Sequence, residues 1–330
     1  MVSMQDIADR LGVSRSTVSL VLSGKAGSRV SDEVKKKVFQ VARELNYHVN
    51  DVARSLRTGA SRLIGVIVTD ISNEFFGRLT FYIQEEAKKA GDFVLTVNTN
   101  ESAQDFEETI RVLLGKQVDG IIAVPPPGGE ASVALIREMG VPVVTVDRPC
   151  DNVQTDFVGI DNYASARAAI EELLDDGFRS ISLVMLDLDI TPLNQRRQAY
   201  LDAMADRGLQ EMVDVRLIPF GREDETDFIK ELGGLREKDA VFFTSHRAFT
   251  QTMAHIAWVG MTIPDRQCLL CFDEIRPYLN VHSDIRFVEQ PVADIGRKSF
   301  ELLMDQIAGK SEAGRYIFPT RNISNRKSHR

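Results

Sequence analysis

From Leu63 almost to its end, the chain alternates short β-branched apolar runs with helical stretches. The runs are LIGVIV, FVLTV, GIIAV, VPVVTV, SISLVML, VRLIPF, AVFF and CLLCF. Nearly continuous apolar character over about four to eight residues is the pattern of strands buried on both faces. Helices are predicted between them, among others over Phe76–Ala90, Phe106–Gly115, Tyr163–Asp175 and Arg197–Asp206. Repeated strand–helix order restricts the fold to parallel sheets covered by helices. About 260 residues exceed one comfortable core, so the expected class is α/β with two lobes. Ligands of such sheets bind beyond the carboxyl ends of the strands, and a cleft between lobes suits a small molecule.

The first 60 residues differ in kind. They hold ten Lys/Arg against six acids, a net +4, which leaves −12 for the rest of a chain whose formal charge is −8. A small basic head on an acidic body points to a polyanionic partner for the head, or to solvated charged helices. Ser3 is a candidate cap for a first helix with Ile7 and Leu11 inward, and Gly12 ends it. Ser14 can cap a second helix, in which Val18, Val21 and Leu22 face inward. This is helix, short turn, helix. The segment Gly12–Gly24 carries four serines and a threonine, all poor helix formers. Packing of the three apolar residues allows it, and Arg15, Ser16, Ser19 and Leu20 are left to the outer face. Such a slim, hydroxyl-bearing face suits a B-DNA major groove, with Arg15 reaching guanine and Leu20 a thymine methyl.

Ser31 caps a third predicted helix with a stripe of Val34, Val38, Val41, Ala42 and Leu45. Lys35–Lys37 solvate that helix, and Arg29, just before its cap, can reach phosphate. Asn50 can cap a short helix over Asp51–Leu56, broken by Gly59. By composition this piece reads as a charged linker. The alternative is a helix that orders only on DNA, with Leu56 wedged between base pairs.

The run MQDIADRLGVSRSTVSLVLSG, followed by RVSDEVKKKVFQVARELNYHVNDVARSLRTGASRLIGVIVTD, closely resembles the head, hinge helix and first core strand of the LacI/GalR family of bacterial transcription regulators. The resemblance continues along the chain. It implies a helix-turn-helix head over 1–48, a hinge helix or linker over 49–60, and an effector-binding and dimerisation domain over 61–330. That domain resembles periplasmic binding proteins, with an N-lobe of about 61–160 and 292–320 and a C-lobe of about 161–291 and 321–330. Crossovers fall at Gly159–Asn162, Val288–Pro291 and near Pro319–Asn322. By the resemblance Arg15, Ser16 and Leu20 read bases and Leu56 is the minor-groove wedge. Met4, Gln5, Ser14, Thr17, Ser19, Ser23 and Arg29 complete the expected DNA contacts of the head. Asn50, Ala53 and Arg57 join Leu56 in the hinge. Leu20 stands where some relatives carry Arg, and Val49 replaces the usual Pro before Asn50.

Effector contacts are expected at strand ends and crossovers: Asn73, Phe75 and Phe76 after the first strand, Asp147 and Arg148 after VPVVTV, Asp273 after CLLCF, and Gln290. Arg196, in NQRRQAY, matches the family Arg that grips the effector. His246 and Arg247 replace the family's Asn-Asp pair and add positive charge, as does Arg222. With Arg196 they suggest a cationic pocket for an anionic effector such as a sugar acid or sugar phosphate. The competing reading pairs Arg247 with a nearby acid such as Glu274.

No nucleophile–base arrangement, metal motif, dinucleotide fingerprint or P-loop appears, so no enzyme, metal or cofactor is expected. Residues Cys268 and Cys271, three apart on a strand, point to opposite faces and read as buried thiols, not chelators. There is neither a secretory signal nor an apolar run of about 18 residues, so a reducing cytoplasm is expected. The polar tail RNISNRKSHR lacks leucine heptads, which favours a homodimer on a pseudo-palindromic operator. A rival reading is a regulator controlled by a protein docking on the body.

Overall fold

A computed structural model of the chain describes residues 2–24, 26–47, 59–150, 152–220, 234–280, 282–310 and 313–325. It divides into two compact units, Met1–Ser61 and Arg62–Arg330.

The head consists of α1 (Met4–Leu11), α2 (Arg15–Leu22) and α3 (Asp32–Glu44). Ser3 opens α1 with a capping box: its hydroxyl accepts from the Asp6 amide, and its own amide donates to the Asp6 carboxylate at 2.7 Å. Gly12 closes the helix at φ 65°, a left-handed conformation that a Cβ disfavours. The Ser14 hydroxyl accepts from the Thr17 amide at 3.1 Å and opens α2, and Ser31 does the same for α3. Ile7, Ala8, Val18, Val21, Val38, Val41 and Ala42 fill the core between the helices. Leu20 departs from expectation. It is half-buried and packs against this core, because an apolar side chain at the edge of the stripe gains by leaving water.

In the body, β1 (Leu63–Val68), β2 (Phe93–Asn98), β3 (Gly120–Ala123), β4 (Val143–Val146), β5 (Asp156–Ile160) and β11 (Arg315–Phe318) form one sheet, in the order β11-β5-β4-β3-β1-β2. The second sheet holds β6 (Ile181–Leu186), β7 (Asp214–Ile218), β8 (Ala240–Phe243), β9 (Cys268–Phe272), β10 (Ile285–Glu289) and β12 (Arg321–Ser324), in the order β12-β10-β9-β8-β6-β7. The two orders are the same topology repeated. Every pairing is parallel except β10 with β12. Helices α4 (Glu74–Ala90), α5 (Ala103–Gly115), α6 (Glu130–Glu138) and α10 (Val292–Ile307) pack on the first sheet. Helices α7 (Asn162–Asp175), α8 (Thr191–Asp206) and α9 (His246–Trp258) belong to the second. The chain thus crosses between sheets after β5, after β10 and between β11 and β12.

Two strand expectations are corrected. FVLTV and the first part of VRLIPF are not buried on both faces: they are the edge strands β2 and β7, and Phe93 is 70% exposed. An edge strand has a neighbour on one side only, and the composition of a run does not say which strand is outermost. Helix α8 begins at Thr191, six residues before the predicted start, because Pro192 is accepted in a first turn whose amides need no partner. Among the described residues, no helix is long and apolar enough to cross a membrane.

The head core is small, so each buried side chain weighs heavily. Ile7→Ala should cost about 2–5 kcal/mol, comparable to the whole stability of such a unit. In a urea titration followed by amide signals, the head resonances should lose their dispersion early while the body transition stays in place.

Candidate functional site

In the head, α2 presents its amino end to solvent. Arg15 and Ser16 are exposed, and Arg15 has no ion-pair partner among the described residues. Arg29, exposed at the end of a short turn, is likewise unpaired among them. Other basic groups are committed: Arg10 to Glu44, Lys35 to Asp32 and Lys37 to Glu33. The Ser14 hydroxyl bonds those of Ser16 and Thr17 at 2.7 and 2.8 Å, so it serves the cap. Gln5 donates to Asp9 at 2.7 Å, Ser23 bonds back to the Leu20 carbonyl, Met4 is half-buried against the core, and Ser19 is half-buried. The exposed polar face therefore centres on Arg15, Ser16 and Ser23. Asn50, Ala53, Leu56 and Arg57, with the hinge helix, lie outside the described residues, as does Arg222.

In the body, the carboxyl ends of the strands meet at one cavity of about 50 Å³. Asn73, Phe75, Phe76, Asp147, Arg148, Arg196, Arg247, Asp273 and Gln290 all line it. His246 does not: its ring lies 3.3 Å from a Glu74 oxygen at the cleft rim. Sequence reasoning missed Asp70, Glu101, Phe220, Ser245 and an apolar wall of Leu186, Leu188 and Ile190. Asp70 was visible, since it follows the first strand in DISNEFF. Glu101 follows β2, and nothing local marks it.

Asp147 and Asp273 are topological equivalents. One follows β4 and the other β9, which hold the same place in their sheets. Both take left-handed backbone, φ 66° and 92°. Both amides donate to the next strand, to Val158 and Val288 at 3.1 and 3.0 Å. Non-glycine residues in this region carry strain that persists where surroundings hold them, a pattern that clusters at ligand sites. Asp273 accepts from the His246 amide at 3.0 Å and from Gln290 at 2.5 Å. Burial pushes the Asp147 carboxyl above its ordinary range, against the pull of Arg148 and Arg196.

Each of the three arginines already has protein partners, though the buried Arg148 Nε makes no hydrogen bond among the described residues. Arg148 forks onto Glu101 at 2.5 and 2.6 Å and reaches the Pro125 carbonyl. Arg196 is 3% exposed, donates to Asn162 and the Thr244 carbonyl, and lies 3.6 Å over the Phe272 ring. Burial pulls its pKa down, with Asp273 and Asp147 opposing. Arg247 bonds Asp70, not Glu274, and stacks 4.6 Å from Phe220. The described lining thus sets Asp70, Glu101, Asp147 and Asp273 against Arg148, Arg196 and Arg247. Among the described residues the lining carries no surplus of positive charge, and Arg222, part of the anionic-effector expectation, lies outside them. Cys268 and Cys271 are both buried within β9.

Two matching lobes with ligand-type residues at their facing strand ends, in a chain that opens with a helix-turn-helix, define a ligand-sensing regulator. Comparison with known proteins agrees. Residues 3–50 match the description "Bacterial regulatory proteins, lacI family", residues 64–238 "Periplasmic binding protein domain", and residues 170–329 "Periplasmic binding protein-like domain". The chain is 31% identical to the ribose operon repressor of Halalkalibacterium halodurans, over 98% of this chain and 96% of that protein. It is 29% identical to the sucrose operon repressor of Pediococcus pentosaceus, over 97% of each. The solved lac repressor dimer, bound to operator and an anti-inducer, shares the fold with a TM-score of 0.79 at 20% identity, over 98% of this chain and 97% of that one. The chain belongs to the lacI family of bacterial regulatory proteins, whose members regulate transcription and are not enzymes.

Glu274, at the cleft rim, bonds both Arg78 and Arg276. Burial would raise its carboxyl, but these two guanidiniums outweigh burial and hold it below the usual glutamate value of 4.5. A lowered carboxylate pKa stabilises fully above the unfolded value, and the contribution fades as pH falls through the lowered one. Glu274→Gln should therefore lower the melting temperature near neutral pH and converge with the parent as pH drops below about 4. Calorimetric melts across that range check it.

Proposed function

We propose that the chain is a repressor in which two copies read the half-sites of a pseudo-palindromic operator through α2, with a small molecule between the lobes setting the affinity. The observation that carries the reading is the amino end of α2. Arg15 is exposed there, its side chain with no ion pair or hydrogen bond to another described residue, on a helix whose cap and core are complete. A guanidinium so placed can fork onto guanine O6 and N7. Arg29 suits backbone phosphate. Pairing of copies would use the exposed apolar side chains Phe81, Phe93 and Leu95 in one lobe and Leu217 and Trp258 in the other. The regulator would work in the cytoplasm, beside its DNA.

For the effector we infer a neutral, hydroxyl-rich molecule of sugar type. Asp147 and Asp273 offer acceptors to hydroxyl donors, Phe75 and Phe76 offer apolar ring faces, and Arg148 and Arg247 are paired with Glu101 and Asp70. The names of the relatives, which concern ribose and sucrose operons, point the same way.

Binding-site selection from random DNA supplies the operator. On the selected duplex, Arg15→Ala should cost about 1–3 kcal/mol and relax one base position. An equal loss on operator and random DNA would count against base reading. Calorimetric titration of a panel of neutral sugars and their acid or phosphate derivatives tests the effector class. Neutral sugars should bind, and Asp147→Ala should abolish the binding. Preference for an acid that disappears in Arg247→Ala would restore the anionic reading.

A further inference from the structure

The cavity between the lobes adjoins a second, larger space. Counted as room for water-sized spheres, the cavity measures about 50 Å³ and the groove beside it about 380 Å³. Counted as all space free of atoms, open solvent included, they measure about 510 and 760 Å³. The latter figures both fall within the roughly 300–1,000 Å³ of small-molecule sites. Asp70, Asn73 and Arg247 line the cavity and the groove alike.

The two spaces differ in chemistry. The cavity combines the apolar faces of Phe75, Phe76, Leu186, Leu193 and Phe220 with buried carboxylates. The groove has no apolar side chain in its described lining. Beyond the three shared residues, Ser72 walls it from one lobe and His246, Thr250 and Gln251 from the other. Arg247, Thr250 and Gln251 stand three and four residues apart in the first turns of α9, so they share one face.

Charges along the groove are met. Arg247 bonds Asp70, and His246 lies 3.3 Å from Glu74. Neutral hydrogen-bonding capacity remains. The Asn73 side-chain oxygen accepts the Phe75 amide at 3.1 Å, whereas its amide nitrogen has no partner among the described residues. The Ser72 hydroxyl donates to Asp70 at 2.5 Å and the Thr250 hydroxyl to the His246 carbonyl at 3.0 Å, which leaves each oxygen able to accept. Among the described residues Arg247 spends only Nη1, on Asp70, so its other nitrogens keep donors where the two spaces join.

We propose that the effector is a molecule of two linked units, a disaccharide or similar glycoside. Its inner ring sits in the cavity, its outer ring lies in the groove, and Arg247 reaches the oxygen that links them. A two-ring effector presupposes the sugar-type reading above and adds its size. A single ring is served by the faces and acceptors of the cavity and would leave the groove to water. An apolar extension finds no apolar wall in the groove, and an anionic one finds no unmatched cation among the described residues.

Calorimetric titration of the full-length chain tests it. The probes are sucrose, maltose, cellobiose, lactose and melibiose, set against glucose, galactose, fructose and ribose. At least one disaccharide should bind about tenfold or more tighter than either of its component sugars, the worth of one or two net hydrogen bonds. Thr250→Trp and Ser72→Trp fill the groove from opposite lobes, and neither residue lines the cavity. Each should erase that preference. A melting temperature equal to the parent's shows that a variant is folded, and because the two lie on different lobes either one alone decides. A single-ring sugar that binds as tightly as every disaccharide overturns the proposal while the sugar-type reading stands. A preference that survives in a folded variant overturns it too. Binding of no neutral sugar of either size removes the sugar-type reading and the two-ring effector with it.

Discussion

Arg196 is the tie on which the cleft depends. Its guanidinium bonds Asn162, the first residue of α7 after a crossover, and the carbonyl of Thr244 after β8, and it lies flat on Phe272 at the end of β9. A bare buried guanidinium would cost several kcal/mol, and here all three nitrogens donate and the face lies over a ring. Meeting that demand draws three strand ends to one point. Asp147 and Asp273 then face the cavity, and their charge offsets the burial of Arg196.

The repeated topology explains why two acids of the same kind stand opposite each other. Each sheet places one residue at the same turn, in the same left-handed conformation, bonded to the same neighbouring strand. The lobes then differ where the chain departs from symmetry. The first brings Glu101 to Arg148, and the second brings Arg247 to Asp70. Both pairs set an acid against an arginine at the cavity wall, and Arg247–Asp70 also joins the two lobes.

Much of this was legible in residue order. The helices of the head, their Ser caps and the Gly12 stop follow from rules that act within four residues. The parallel sheets follow from apolar runs spaced by helices. Nine of the expected cleft residues line one cavity: most are marked in sequence by where apolar runs stop, whereas Arg196 and Gln290 came from the family resemblance. Leu20 was misread because 3.6-residue periodicity defines a stripe but not its edge. The edge positions of β2 and β7 escaped because strand order is a property of the sheet.

Residue order therefore determined the element types, the helix-turn-helix and the places where functional side chains emerge, since each depends on neighbours a few bonds away. Tertiary structure alone decided which charges meet. Asp70 and Arg247 are 177 residues apart, and Arg148 and Glu101 are 47 apart. A cluster that reads in sequence as surplus positive charge is neutralised because folding brings acids from distant strand ends within hydrogen-bond reach, and Coulomb attraction depends on distance in space rather than along the chain.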